Sequence, residues 1–181
     1  MEKLNILKVN KGEIFMTIKE QLEKMFTMQK SLNKNILKEF GKNAMTREKL
    51  NMAIIDELGE LTHELKGSWC WWKKSQAQVN RQRVLEELVD VYHFVMTWEM
   101  FKRTEYKIEY ILKAYAIEIL SFGTNVEKES IDYIICRMML DNHKLDWLLK
   151  LTEILKISFD EIYQEYLNKN KINYERLENG Y

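Results

Sequence analysis

The chain has 181 residues, enough for one domain with a sizeable core. Proline is absent, glycine occurs only six times, and Lys plus Arg equals Asp plus Glu at 28 each. Such a composition favours long uninterrupted helices, and the even charge leaves no global field to draw the molecule onto nucleic acid or an anionic membrane. An all-α fold in a single domain spanning residues 1–181 is therefore expected.

At the N-terminus Glu2, Lys3, Lys8 and Lys11 interrupt the apolar residues, so no signal peptide is expected. Nowhere do 18 apolar residues run together, so no membrane span is expected either, and the cytoplasm is the predicted location. From Ile18 to Phe40 apolar side chains recur at Leu22, Met25, Phe26, Met28 or Gln29, Leu32, Ile36 and Leu37, which predicts a first helix closing at Gly41. Thr46 is placed to cap a second helix, whose stripe of Leu50, Ile54, Leu58, Leu61 and Leu65 runs to Gly67 as its C′ residue.

Between Ser68 and Asn80 the periodicity fails, and Trp69, Trp71 and Trp72 crowd beside Lys73 and Lys74 in a predicted loop. The helical period returns from Asn80 to Arg103 through Val84, Leu88, Val91, Val95 and Trp98. Further helices are predicted near residues 105–121, 127–140 and 144–156. A last one opens at Ser158, which forms a capping box with Glu161. Cys70 and Cys136 lie far apart without paired spacing and read as reduced thiols acting as small hydrophobes.

Two acidic pairs stand out. Glu57 and Glu60 are three residues apart, as are Glu87 and Asp90, so each pair occupies one face of its helix. Paired carboxylates at this spacing repel one another, and a hard divalent cation relieves the repulsion; magnesium, which keeps several waters, would leave coordination positions for phosphate oxygens. Acidic pairs also simply solvate helix surfaces, but these two sit within the most apolar stretches of their helices. Gly59 within the second helix suggests close approach by a neighbouring backbone or ligand.

Glu60 with His63 and Asp90 with His93 imitate the Glu-x-x-His pairs of di-iron bundles, yet that architecture needs two more glutamates on two other helices. On the first helix Gln29 and Asn33, four apart, carry amides able to donate and accept hydrogen bonds. Near the C-terminus Lys169, Asn173 and Arg176 form one helical stripe, with Asn170 beside it, that could grip phosphates. Tyr163, Tyr166, Ile172 and Leu177 indicate that the same segment packs.

These residues resemble a known family. DELGEL at 56–61, SWCWWKK at 68–74 and EELVDVYHF at 86–94, with MQKSLN at 28–33 and YLNKNKINYERLENGY at 166–181, are similar to the dimeric all-α dUTPases, relatives of the MazG-like nucleoside triphosphate pyrophosphatases. The resemblance implies a homodimer that hydrolyses dUTP and dUDP to dUMP with magnesium, manganese being a possible substitute, and so limits uracil in DNA. It implies that Glu57, Glu60, Glu87 and Asp90 bind metal, with Glu60 foremost, and Glu57 beside it, for activating water.

It further assigns Gln29 and Asn33 to the base, Phe94 to the deoxyribose, and Trp69, Trp72 and Lys73 to a loop near the nucleotide. Lys169, Asn170, Asn173 and Arg176 fall to the phosphates. The chain departs from the family where Cys70 stands in place of a common Lys. Its sequence also stops at Tyr181, where the family continues with an aromatic and basic run, so one phosphate-binding lysine is expected to be missing or replaced. A MazG-like enzyme with another base preference, and a binding or regulatory protein without turnover, are the competing expectations.

Overall fold

The computed structural model describes residues 16–102, 107–123 and 129–180, so the N-terminal reading and Tyr181 lie outside the described residues. Within them the protein is all-α, with nine helices and no strand. The helices are α1 (Ile18–Phe40), α2 (Arg47–Glu64), α3 (Lys66–Trp69), α4 (Arg81–Phe101), α5 (Ile108–Ala114), α6 (Ala116–Ser121), α7 (Ile131–Leu140), α8 (Lys144–Ile154) and α9 (Phe159–Glu178).

Local chemistry sets the long helices. Thr17 opens α1 with a full capping box, its backbone N–H donating to Glu20 Oε2 at 2.6 Å, and Ser158 opens α9 in the same way. The Asn80 side chain accepts from Gln82 and Arg83 at the head of α4. These caps satisfy backbone donors that have no partner within the helix.

Helix α4 is the centre of the bundle. Val84, Leu88, Val91, Val95 and Trp98 are buried as the periodicity requires, and Leu85, Val89, Tyr92 and Met96 bury its flanks as well. A helix apolar on most of its circumference must be surrounded, and α4 packs against α2, α9, α1 and α8. The predicted stripe of α2 is also buried throughout. Helices α7 and α8 form a hairpin, from which α8 reaches α4. Helix α9 lies against α1 and α4, which brings the C-terminal basic stripe beside the first helix.

Several expected boundaries differ. Gly67 is not a C′ residue: α2 closes at Leu65, and Gly67 falls inside the short helix α3. The helix predicted over 105–121 breaks at Tyr115, whose ψ of 18° departs from helical geometry, giving α5 and α6. The helix expected from 127 starts at Ile131, after Ser130 in extended conformation. Its neighbour ends at Ile154, because Lys156 takes φ 55°, a left-handed conformation that stops a helix. Cys70 is buried as expected, whereas Cys136 is exposed, and both thiols are free. Ile172 is exposed rather than packed.

Candidate active site

Four helices, α1, α2, α4 and α9, wall a cleft of about 800 Å³. That volume suits a small-molecule ligand of nucleotide size. The cleft is lined by Gln29 and Asn33 from α1, Glu57 and Glu60 from α2, Glu87, Asp90 and Phe94 from α4, and Lys169, Asn173 and Arg176 from α9. Residues from both ends of the chain thus meet because α1 and α9 pack side by side over α4.

The carboxylates are held by the close packing of α2 on α4. Leu58 and Leu61 are fully buried, as are Leu88 and Val89, so the acidic side chains on the neighbouring positions are drawn to the seam between the helices. Glu57, Glu87 and Asp90 each offer an oxygen within 4.8 Å of the others. Glu60 lines the same cleft but is exposed and stands outside this tight triple.

Crowding shows in the protonation of the triple. Burial, and after it the charges of Asp90, Glu60, Asp56 and Glu87, pushes the Glu57 carboxyl up to about 7. Burial also raises Glu87, with Glu60 and Asp90 adding to it. Asp90 is raised by burial against the pull of Lys169, whose Nζ lies 2.5 Å from Asp90 Oδ2, and of Arg176. Arg83 stands 3.6 Å from Glu87, and among the described residues Glu57 makes no ion pair. Three converging, partly buried carboxylates match the donor set of a hard divalent ion.

Gln29, Asn33, Thr97 and His93 line the same cleft and, with the buried Tyr166 behind them, form a hydrogen-bonded floor. Gln29 is buried, with Oε1 accepting from the Tyr166 hydroxyl at 2.8 Å and Nε2 donating to Asn33 Oδ1 at 2.9 Å. His93 Nδ1 lies 2.6 Å from Gln29 Oε1. Burial, reinforced by Lys169, lowers His93 to about 3, so its ring is neutral. Phe94 is half-buried, lines the cleft and packs on the core.

Other expected contacts are not brought to the cleft. Trp69 is anchored away from it, its indole N–H donating to the Thr62 carbonyl at 2.9 Å. Trp69, Trp72 and Trp71 form an edge-to-face series with centroids 5.5 and 5.8 Å apart, and Trp72 and Lys73 point to solvent. Neither Trp69, Trp72 nor Lys73 lines the cleft. Asn170 lies buried behind the basic stripe, its Nδ2 without a hydrogen-bond partner among the described residues. Gly59 is exposed, and a Cβ added there would have nothing within 4 Å, so no neighbouring backbone explains it.

The di-iron arrangement is likewise not assembled. His63 is exposed beside Lys66, while His93 is buried in the floor, so neither joins the carboxylates. From the sequence Tyr166 reads only as a packing residue and His93 only as an imitation of a ligand, and nothing there marks Thr97. A glutamine on the apolar stripe of α1 was the available signal, because a buried amide needs hydrogen-bonding partners.

An all-helical bundle in which a triple of carboxylates, a lysine and an arginine line one nucleotide-sized cleft defines the class of protein: one built to handle anionic, phosphate-bearing ligands. A family model described as dUTPase matches residues 21–181, and the chain belongs to this family, the all-α dUTPases. It is accordingly a hydrolase of the dUTP diphosphatase type. No curated protein matches the chain.

Proposed function

We propose that the protein is a magnesium-dependent dUTP and dUDP nucleotidohydrolase, releasing dUMP and thereby limiting uracil incorporation into DNA. The observation that carries this reading is the convergence, in one cleft, of the carboxylate triple, the Lys169 and Arg176 cations and the Gln29 and Asn33 amides. Phosphate, metal and base functions then have separate walls.

In this reading Glu57, Glu87 and Asp90 would hold the divalent ion, and Glu60, at the open side, orients the attacking water, with Glu57 as the second candidate. A bound magnesium ion, or manganese in its place, would supply charge neutralisation and a more acidic water. Lys169, Asn173 and Arg176 hold the phosphates, and Gln29 and Asn33 face the base. Phe94 covers the sugar. Trp69, Trp72, Lys73 and Asn170, which the structure does not bring to the cleft walls, act at most through the shape of the loop and of α9.

We place the protein in the cytoplasm as a homodimer acting without nucleic-acid or membrane partners. Among the described residues no helix is long and apolar enough to cross a membrane. Exposed Met52 and Ile55 on α2 and exposed Phe40 on α1 offer apolar surface near the cleft for a second copy. Light scattering checks the dimer; a monomer at micromolar concentration would refute it.

The deciding experiment is turnover across dUTP, dUDP, dCTP, dTTP and UTP, with magnesium, with manganese and with chelator. Preferential release of dUMP, abolished by chelator and restored by metal, is expected. Dominant dCTP cleavage would replace the base assignment, and dUTP binding without release of dUMP in either metal would leave a binding protein instead.

A further inference from the structure

The floor of the cleft is a hydrogen-bond chain that starts at the buried Tyr166 on α9. Tyr166 is fully buried, and its hydroxyl donates to Gln29 Oε1 at 2.8 Å, with the Met25 carbonyl 3.3 Å away. The His93 ring stacks on it, centroids 4.3 Å apart at 22°, and brings Nδ1 to 2.6 Å from the same Gln29 oxygen. An amide oxygen has two lone pairs, so one phenol O–H and one imidazole N–H fill it.

The direction of the rest follows. With its oxygen occupied, Gln29 turns its nitrogen to Asn33 Oδ1 at 2.9 Å. Thr97 gives its hydroxyl proton to the His93 carbonyl at 2.9 Å and therefore receives from Asn33 Nδ2 at 3.1 Å. Each amide nitrogen carries two hydrogens, and one on Gln29 and one on Asn33 remain after these bonds. The opposite direction would need the imidazole proton on Nε2, which is buried and has no acceptor among the described residues. Burying an orphan N–H of that kind is strongly disfavoured.

We infer that Tyr166 and His93 are positioning residues that fill both lone pairs of Gln29 Oε1 and so fix the direction of this amide, which presents only an N–H donor to the bound base. This rests on the dUTPase reading of the cleft. A base with a carbonyl at its 4-position accepts from the Gln29 N–H, whereas an amino group there sets N–H against N–H. Discrimination of dUTP from dCTP then originates in two side chains directly behind the residue that touches the base.

The test is a competition assay on the full chain with magnesium, reading the ratio of kcat/KM for dUTP over dCTP. Tyr166→Phe removes one donor while keeping the ring, and should lower the ratio by about tenfold, chiefly through KM for dUTP. His93→Leu should do the same, and His93→Asn, which keeps an N–H near the position of Nδ1, should restore most of it. If Gln29→Ala lowers the ratio but Tyr166→Phe leaves it unchanged, the lock is wrong and the base assignment stands. If Gln29→Ala also leaves it unchanged, the base assignment itself falls, and the lock with it. Should His93→Leu fail to fold, Tyr166→Phe decides alone.

Discussion

Glu57 makes the metal-free protein less stable as pH rises. Its carboxyl goes from an ordinary 4.5 to about 7 in the folded state, so between those values the native protein binds more protons than the unfolded chain. Stability is then fully present below 4.5 and is lost as pH climbs through about 7. That gap corresponds to about 3 kcal/mol at full strength, and to on the order of 1–2 kcal/mol for a half-buried group screened by water. His93, lowered to about 3, works in the opposite sense between pH 3 and about 6.5, gaining stability as pH rises. Glu161 and Asp141, both held near 2 in the folded state, add stability as pH rises to their ordinary 4.5 and 3.8, and this gain is largely complete by pH 5.

Comparison with Glu57→Gln isolates the effect, because the amide cannot ionise. In chelator, the melting temperature of the variant relative to wild type should rise by about 2–8 °C between pH 5 and pH 8. Magnesium should reverse the wild-type trend, stabilising more at pH 8 than at pH 5, since protons compete with the ion for the same oxygens. A difference between the two proteins that does not change with pH would refute the crowding of Glu57, and with it the argument for a cation in the triple.

Glu60→Gln should reduce dUTP turnover by at least about a hundredfold while leaving the melting temperature within a few degrees, since this side chain is exposed; near-normal turnover would end its proposed role. Lys169→Met removes the cation from Asp90 and from the phosphate wall and should raise KM for dUTP by about tenfold or more. An unchanged KM would place the phosphates elsewhere. Phe26 is fully buried in α1, and Phe26→Ala should cost about 3–5 kcal/mol, read as a lower urea midpoint at constant slope.

The long helices were legible because their signals are local. Thr46, Asn80 and Ser158 cap where side-chain chemistry demands, and the apolar stripes of α2 and α4 are buried as their spacing predicts. What was not legible depends on partners distant in sequence. The break at Tyr115 separates two short helices that pack in different places, α5 on α1 and α4, α6 on α8, and no proline or glycine marks it. Gly67 looked like a helix terminus, but the chain turns two residues earlier and continues as α3. The floor of the cleft spans Gln29, His93 and Tyr166, separations of 64 and 137 residues, so only the packing of α1, α4 and α9 could reveal it.

The four carboxylates show how identical spacing yields unequal sites. Both pairs are i, i+3, yet α2 meets α4 along Leu58 and Leu61, which turns Glu57 into the seam and leaves Glu60 at its open edge. Desolvation and the repulsion of Asp90 act on Glu57, which would lose its proton on gaining a cation. Glu60 faces solvent beside the triple, where a water molecule can reach it without passing through the core. On the proposed reading, a pattern that reads in sequence as four equivalent ligands divides in three dimensions into three that hold the ion and one that meets the water. The exposed member is therefore the one whose removal should stop chemistry without touching the fold.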